Sequence, residues 1–205
     1  MSKESNLKTS TTIRRGLVHI ALALSIAILV SLLPRDIVLM LLSLFTSVVI
    51  IADLSRLRFA KFHTWFQAVF KPFLRDYESS RLLGATYMLV GCLVSVTLFP
   101  REIAVLAISY LAVGDALATV VGERIGKHRL FKKNLEGVLA CLFGCVAIGL
   151  GWYFSGLNAS LVLVLAGAIV AAAAESLPLP IDDNLTIPVL SGLVMAAINF
   201  IIIVF

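Results

Sequence analysis

The chain has 205 residues, 60% of them hydrophobic and 14% charged, with a formal net charge of +5 and a mean hydropathy of +1.03. Soluble domains run near half apolar and about a quarter charged, so this composition excludes an ordinary soluble domain. With no soluble basic domain to carry nucleic acid, the positive charge reads as membrane topology plus attraction to an anionic lipid bilayer.

Seven nearly uncharged stretches, 17–33, 37–52, 82–99, 103–121, 137–154, 159–174 and 185–205, each approach the length of a membrane span. They predict an all-α, polytopic membrane protein with about seven transmembrane helices. Residues 1–16 are expected to form a cytoplasmic N-terminal segment and 17–205 a single transmembrane domain. The first apolar run ends in Leu33-Pro34-Arg35-Asp36 rather than a small-residue cleavage pattern, so it reads as a retained helix. Four basic residues precede the first stretch, six follow the second and five follow the fourth, while the alternate links carry only Arg35, only Arg101 and none. Lys and Arg concentrate in cytoplasmic loops, which puts the N-terminus in the cytoplasm. Between the second and third stretches, Phe59, Phe62, Phe66, Phe70, Phe73 and Tyr77 recur at helical spacing among Arg58, Lys61, Lys71 and Arg75. An interfacial amphipathic helix over about 59–80, bent at Pro72, is the expectation. Trp152, Tyr153 and Phe154 fit an outer aromatic belt. Cys92, Cys141 and Cys145 all lie in apolar stretches and read as packing residues.

Asp115 is the one charged residue inside a predicted span, which makes it a functional candidate, since such a group costs about 2.5–3.5 kcal/mol on insertion scales. At helical spacing Asp115, Thr119 and Glu123 form a polar stripe beside a small-residue stripe of Gly114, Ala118, Gly122 and Gly126. Spacing alone makes the small stripe a helix-packing surface. The following link carries Lys127, Arg129, Lys132, Lys133 and Glu136, charges that suit topology and phosphate binding equally. The link after the sixth stretch holds Glu175, Asp182 and Asp183 with no basic residue, and topology does not account for those acids. One of the Asp pair is explained as an N-cap of the last helix; the others are not. Carboxylates able to hold Mg²⁺ and cations able to clamp phosphates on one membrane face are what nucleotide chemistry requires. The Gly122-to-Lys127 run lacks the full P-loop spacing and a preceding strand, which excludes a soluble nucleotide-binding fold.

Arg14-Arg15-Gly16-Leu17-Val18-His19, Arg75-Asp76-Tyr77-Glu78 before Gly84-Ala85-Thr86, Gly114-Asp115 with Ala118, Gly122 and Gly126, Lys133-Asn134-Leu135-Glu136-Gly137, and Asp182-Asp183-Asn184-Leu185-Thr186-Ile187-Pro188 follow in order along most of the chain. In these motifs the sequence resembles the CTP-dependent lipid-alcohol kinases, which include dolichol kinase, phytol kinase and yeast-type diacylglycerol kinase. The resemblance implies a kinase-like domain over 17–205 that transfers the γ-phosphoryl group of CTP, with Mg²⁺, to the hydroxyl of a membrane lipid alcohol such as a polyprenol, a phytol-like isoprenoid or diacylglycerol. It implies catalytic roles for Asp115, Lys133, Glu136 and Asp183, and metal ligation by Asp115, Glu175, Asp182 and Asp183. CTP binding would fall to Arg14, Arg15, Gly114, Thr119, Gly122, Glu123, Gly126, Lys127, Lys132, Asn134 and Asn184. The family pattern has Arg-Lys where this chain has Arg14-Arg15, and Ser where it has Asn134. His19 reads as a packing or interfacial histidine.

Two other readings compete. A phosphatidate cytidylyltransferase would use the same nucleotide and metal, and a small ion-coupled transporter would use Asp115 to carry a proton or cation. Compactness suggests a prokaryotic form in the cytoplasmic membrane, and oligomeric state is open, with a homodimer as one option.

Overall fold

The computed structural model describes residues 2–70, 74, 76–131 and 133–204, with the side chains of 2–13, 15, 76 and 77 outside that description. The apolar runs form helices: α1 (Ser2–Leu32), α2 (Arg35–Arg58), α3 (Ala60–Phe70), α4 (Gly84–Leu98), α5 (Arg101–Ile125), α6 (Leu135–Phe154), α7 (Leu161–Ser176) and α8 (Asp183–Val204). A 3-10 turn spans Asp76–Ser79, and a two-stranded antiparallel hairpin, β1 (Arg129–Leu130) with β2 (Lys133–Asn134), joins α5 to α6. Pro34 and Pro100 stand as the N-caps of α2 and α5. Proline cannot donate a backbone hydrogen bond and disfavours helix in the residue before it, so each ends one helix and starts the next. Helices α2, α5, α6 and α8 are long and apolar enough to cross a bilayer, and the apolar part of α1, with α4 and α7, forms shorter apolar helices. The chain is an all-α, integral, multi-pass membrane protein.

Helix α5 is the centre of the bundle and packs against α1, α4, α6, α7 and α8. Every residue from Ile103 to Ala112 is buried. The outer helices instead leave Met40, Leu44, Phe143, Ile169, Phe200 and Ile203 exposed. Such apolar surface would drive association in water, whereas lipid tails solvate it without penalty.

The isolated basic residues of the sparsely charged links have structural partners. Arg35 donates to Thr97 O at 2.5 Å and Arg101 to Leu33 O at 2.7 Å. Each guanidinium therefore satisfies carbonyls at a helix C-terminus, where the helix dipole favours a cation. These bonds hold the ends of α1 and α4 level with the starts of α2 and α5. From that common level, the 25 residues of α5 rise about 37 Å while the 15 residues of α4 rise about 22 Å. The opposite end of α4 is thus level with the turn of α5 that holds Asp115, and a recess lies above it.

A buried clasp holds the rim of this recess. Arg56, 1% exposed, donates to Asp53 Oδ1 and to the carbonyls of Glu78 and Arg81. Asp53 Oδ2 accepts from Leu83 N and Thr86 Oγ1, while Glu78 Oε1 accepts from Gly84 N. Two carboxylates therefore satisfy N–H groups at the start of α4, which has no side-chain cap of its own.

Four expectations change. Helix α1 extends through the N-terminal segment, beginning at Ser2. Helix α3 ends at Phe70, with Phe59 extended as the C-cap of α2; Pro72, Phe73 and the Tyr77 side chain lie outside the described residues. Trp152 does not join an outer belt: its indole N–H donates to Ser109 Oγ at 2.8 Å inside the bundle, while Phe154 is exposed. The basic link before α6 contains the hairpin, in which Phe131 adopts φ 55°.

Candidate functional site

The hairpin positions the cation of the site. Register pairs Leu130 with Lys133 and Arg129 with Asn134. Asn134 Nδ2 donates to Gly122 O at 2.9 Å, tying the hairpin to the end of α5. Gly126 is required there, because a Cβ would collide with the Asn134 side chain and with Gly122 O. At the base of the hairpin, Glu136 bonds His128 Nδ1 at 2.7 Å and Leu135 N donates to His128 O. So held, Lys133 Nζ lies 2.5 Å from Glu175 Oε1 and 3.0 Å from Asp183 Oδ2. Burial opposes its charge, but Glu175, Asp183 and Asp115 together outweigh that and raise the Lys133 pKa above its ordinary value.

Glu175 is fully buried at the end of α7, and its Oε2 has no hydrogen-bond partner. The two aspartates before α8 have separated tasks. Asp182 Oδ1 accepts from Asn184 N and Asn184 Nδ2, and its carbonyl accepts from Leu185 N and Thr186 N, which makes Asp182 the cap of α8. Asp183 is left to Lys133.

Lys133, Asp182 and Asp183, with Glu175 buried behind Lys133, border a cavity of about 690 Å³ whose lining includes Arg81, Tyr87, Thr119 and Glu123. Next to it lies a second, mainly apolar cavity of about 500 Å³ between α1, α2, α3, α4, α5 and the start of α8, whose walls include Asp115, His19, Phe66 and Asn184. Thr119 lines both. Asp115 is buried, lies 3.9 Å from His19 Nε2, and acts electrostatically on Lys133 and Asp183. One turn of α5 therefore presents Asp115 to the apolar chamber and Thr119 to both chambers.

The sequence is 30% identical over 161 residues to an uncharacterized protein of Rickettsia prowazekii, covering 76% of this chain and 79% of that one. It is 28% identical over 155 residues to CTP-dependent diacylglycerol kinase 1 of Schizosaccharomyces pombe, covering 68% and 71%. A phytol kinase of Synechocystis matches at 37% over 99 residues, covering 44% and 42%. The chain belongs to the CTP-dependent lipid kinase family. No protein-family model matches this lipid kinase family member, and no solved structure matches it.

Within this member of the lipid kinase family, the structure divides the expected site residues. Thr119, Gly122, Glu123, Lys133, Asn134, Asp182 and Asp183 come together at the polar cavity. Asp115 and Asn184 line the apolar one. Gly114 faces the sulfurs of Cys141 and Cys145 in the interface with α6, and Gly126 faces Asn134. Glu136 closes the base of the hairpin and lines neither cavity. Arg14 and Lys127 are exposed, and the Arg15 side chain and Lys132 lie outside the described residues. Arg81 and Tyr87 line the polar cavity without having been expected there; Arg81 was legible only as a topology charge, and Tyr87 carried no signal.

The four carboxylates expected at a metal do not form a closed cage, since among the described residues no group of three or more His, Cys, Asp or Glu side chains is disposed to hold an ion. The chemistry nevertheless fits Mg²⁺. Asp115, Glu175 and Asp183 bring three carboxyl groups to bear on the one ammonium of Lys133, oxygen donors of the kind a divalent ion takes, and Glu175 Oε2 is a buried oxygen without a hydrogen-bond partner. Mg²⁺ commonly takes one or two carboxylates and completes its shell with phosphate oxygens and water.

Proposed function

We propose that the protein transfers the γ-phosphoryl group of CTP to the hydroxyl of a membrane lipid alcohol at the cytoplasmic interface. One observation carries the reading: a polar chamber holding a cation and a chamber suited to a lipid share a wall at Thr119, one helical turn from the buried Asp115. A kinase acting on a membrane lipid needs that juxtaposition, because its two substrates arrive from different phases. The names of the relatives and the clustering of basic residues on the side of the polar cavity agree with it.

In this reading the polar cavity takes the triphosphate. Lys133 and Arg81 neutralise phosphate oxygens, and the Asn134 bond to Gly122 O keeps Lys133 in place. Glu175 and Asp183 would hold Mg²⁺, which supplies charge neutralisation on the phosphate oxygens when bound. Asp115 accepts the proton of the lipid hydroxyl as its oxygen forms the new bond to the γ-phosphorus. The bond from that phosphorus to the β,γ-bridging oxygen breaks, and CDP leaves.

The test is purified protein with a panel of isoprenoid alcohols, diacylglycerol and phosphatidate, and CTP labelled at either the α or the γ position. Label from γ-labelled CTP alone is expected in the lipid, and excess EDTA is expected to stop transfer until Mg²⁺ is restored. Label from α-labelled CTP entering phosphatidate would replace the kinase reading with a cytidylyltransferase. No transfer from CTP or ATP to any lipid would remove the enzymatic reading.

A further inference from the structure

Two of the carboxylates on the wall of the apolar cavity are already engaged. Asp53 is engaged by Arg56, Leu83 N and Thr86, and Glu78 accepts from Gly84 N. Asn184 is different. Its Nδ2 donates to the Asp182 carboxylate at 2.7 Å, which fixes the orientation of the amide, because the reversed group would set oxygen against oxygen. Asn184 Oδ1 is therefore an acceptor, 3% exposed as a residue, with no partner. A buried acceptor left unsatisfied is unfavourable, so a ligand that donates a hydrogen bond would gain from filling it. Asp115 adds a carboxylate to the same chamber, and among its described lining residues there is no Lys or Arg. A neutral lipid with one hydroxyl suits these walls, whereas a phosphate headgroup would add negative charge to a chamber whose walls already carry Asp53, Glu78 and Asp115 and no described Lys or Arg.

We infer that this cavity is the subsite for the uncharged lipid alcohol, that Asn184 Oδ1 receives its hydroxyl, and that the chamber rejects phosphatidate and the phosphorylated product. The inference rests on the lipid-kinase reading and adds to it a location, a positioning residue and a charge rule. The hydroxyl is held at Asn184 in the resting complex, its proton passes to Asp115 on transfer, and the product, now anionic, is repelled toward the basic interface.

Two measurements test this. In the first, unmodified protein in nanodiscs is photolabelled, without nucleotide, by a diazirine-bearing long-chain isoprenoid alcohol. Adducts are expected on Leu22, Phe66, Ala85 and Met88, competed by unlabelled neutral alcohol but not by its phosphate ester or by phosphatidate. In the second, Gly16→Phe partly fills the chamber; Gly16 lines it and a Cβ there meets nothing within 4 Å, so the side chain enters open space. The lipid KM is expected to rise about tenfold or more while the CTP KM stays within about twofold. Adducts confined to other helices, equal competition by phosphatidate, or an unchanged lipid KM in Gly16→Phe would each overturn the inference even if phosphoryl transfer continues. If adducts map to the chamber but no nucleotide supports transfer, it is the kinase reading that fails.

Discussion

Replacing Lys133 by Met removes the one described cation that touches both Glu175 and Asp183. At 3.0 Å and an effective dielectric near 20, each ion pair is worth about 5 kcal/mol before desolvation is counted. Breaking a buried pair costs about 3–5 kcal/mol because it leaves a charge unpaired; Lys133 keeps 28% of its side chain exposed, so about 2–3 kcal/mol is expected here. Glu175→Gln in the same chain removes one of the stranded carboxyl groups. The double variant should recover much of the lost stability but, if Lys133 neutralises phosphate as proposed, none of the lost turnover. Thermal unfolding in detergent micelles reads the first quantity, and label transfer from γ-labelled CTP reads the second. The reasoning is refuted if Lys133→Met is as stable as the parent protein, or if the double variant regains full turnover.

Gly137→Ala should destabilise by about 1–3 kcal/mol, because its Cβ would lie 2.7 Å from Ala118 O and backbone cannot yield cheaply. Gly151→Ala, where nothing lies within 4 Å, should be neutral or stabilising by up to about 1 kcal/mol; paired melts check both. Arg56→Met should cost about 3–5 kcal/mol by stranding Asp53, and membrane-extracted yield and melting temperature should both fall. Since Lys133 is held above its ordinary value, its contribution is complete below the unfolded value and lost only above the folded one. A pH–rate profile should therefore show no loss from this group between about pH 7 and pH 10.

The helices were legible because a spanning segment must be apolar over its whole length, and Pro34 and Pro100 mark two of the breaks. Thr119, Lys133 and Asp183 were legible as charge and polarity placed where membrane insertion does not favour them. The division between two chambers was not legible, because it depends on the difference in length between α4 and α5 and on which way Asn184 faces. The place of Glu136 at the base of the hairpin was hidden for a related reason: its partner His128 comes near in space only once the hairpin exists, and a link rich in Lys and Arg gives no strand pattern. The Asp53–Arg56 clasp was hidden among charges that topology alone explained. In the Asp182-Asp183 pair, capping chemistry accounted for one acid, but only coordinates showed that it was Asp182.

The shortness of α4, and of α7 at 16 residues, has a bearing on how far a hydrophobic substrate has to travel. Both rise only about 22–24 Å against a hydrocarbon thickness of about 30 Å, so aqueous reactants descend toward the lipid. Raising an alkyl chain into water costs about 0.8 kcal/mol for each methylene exposed. If the reaction takes place in this sunken chamber, as proposed, the tail stays at its resting depth and that extraction work is avoided in every cycle.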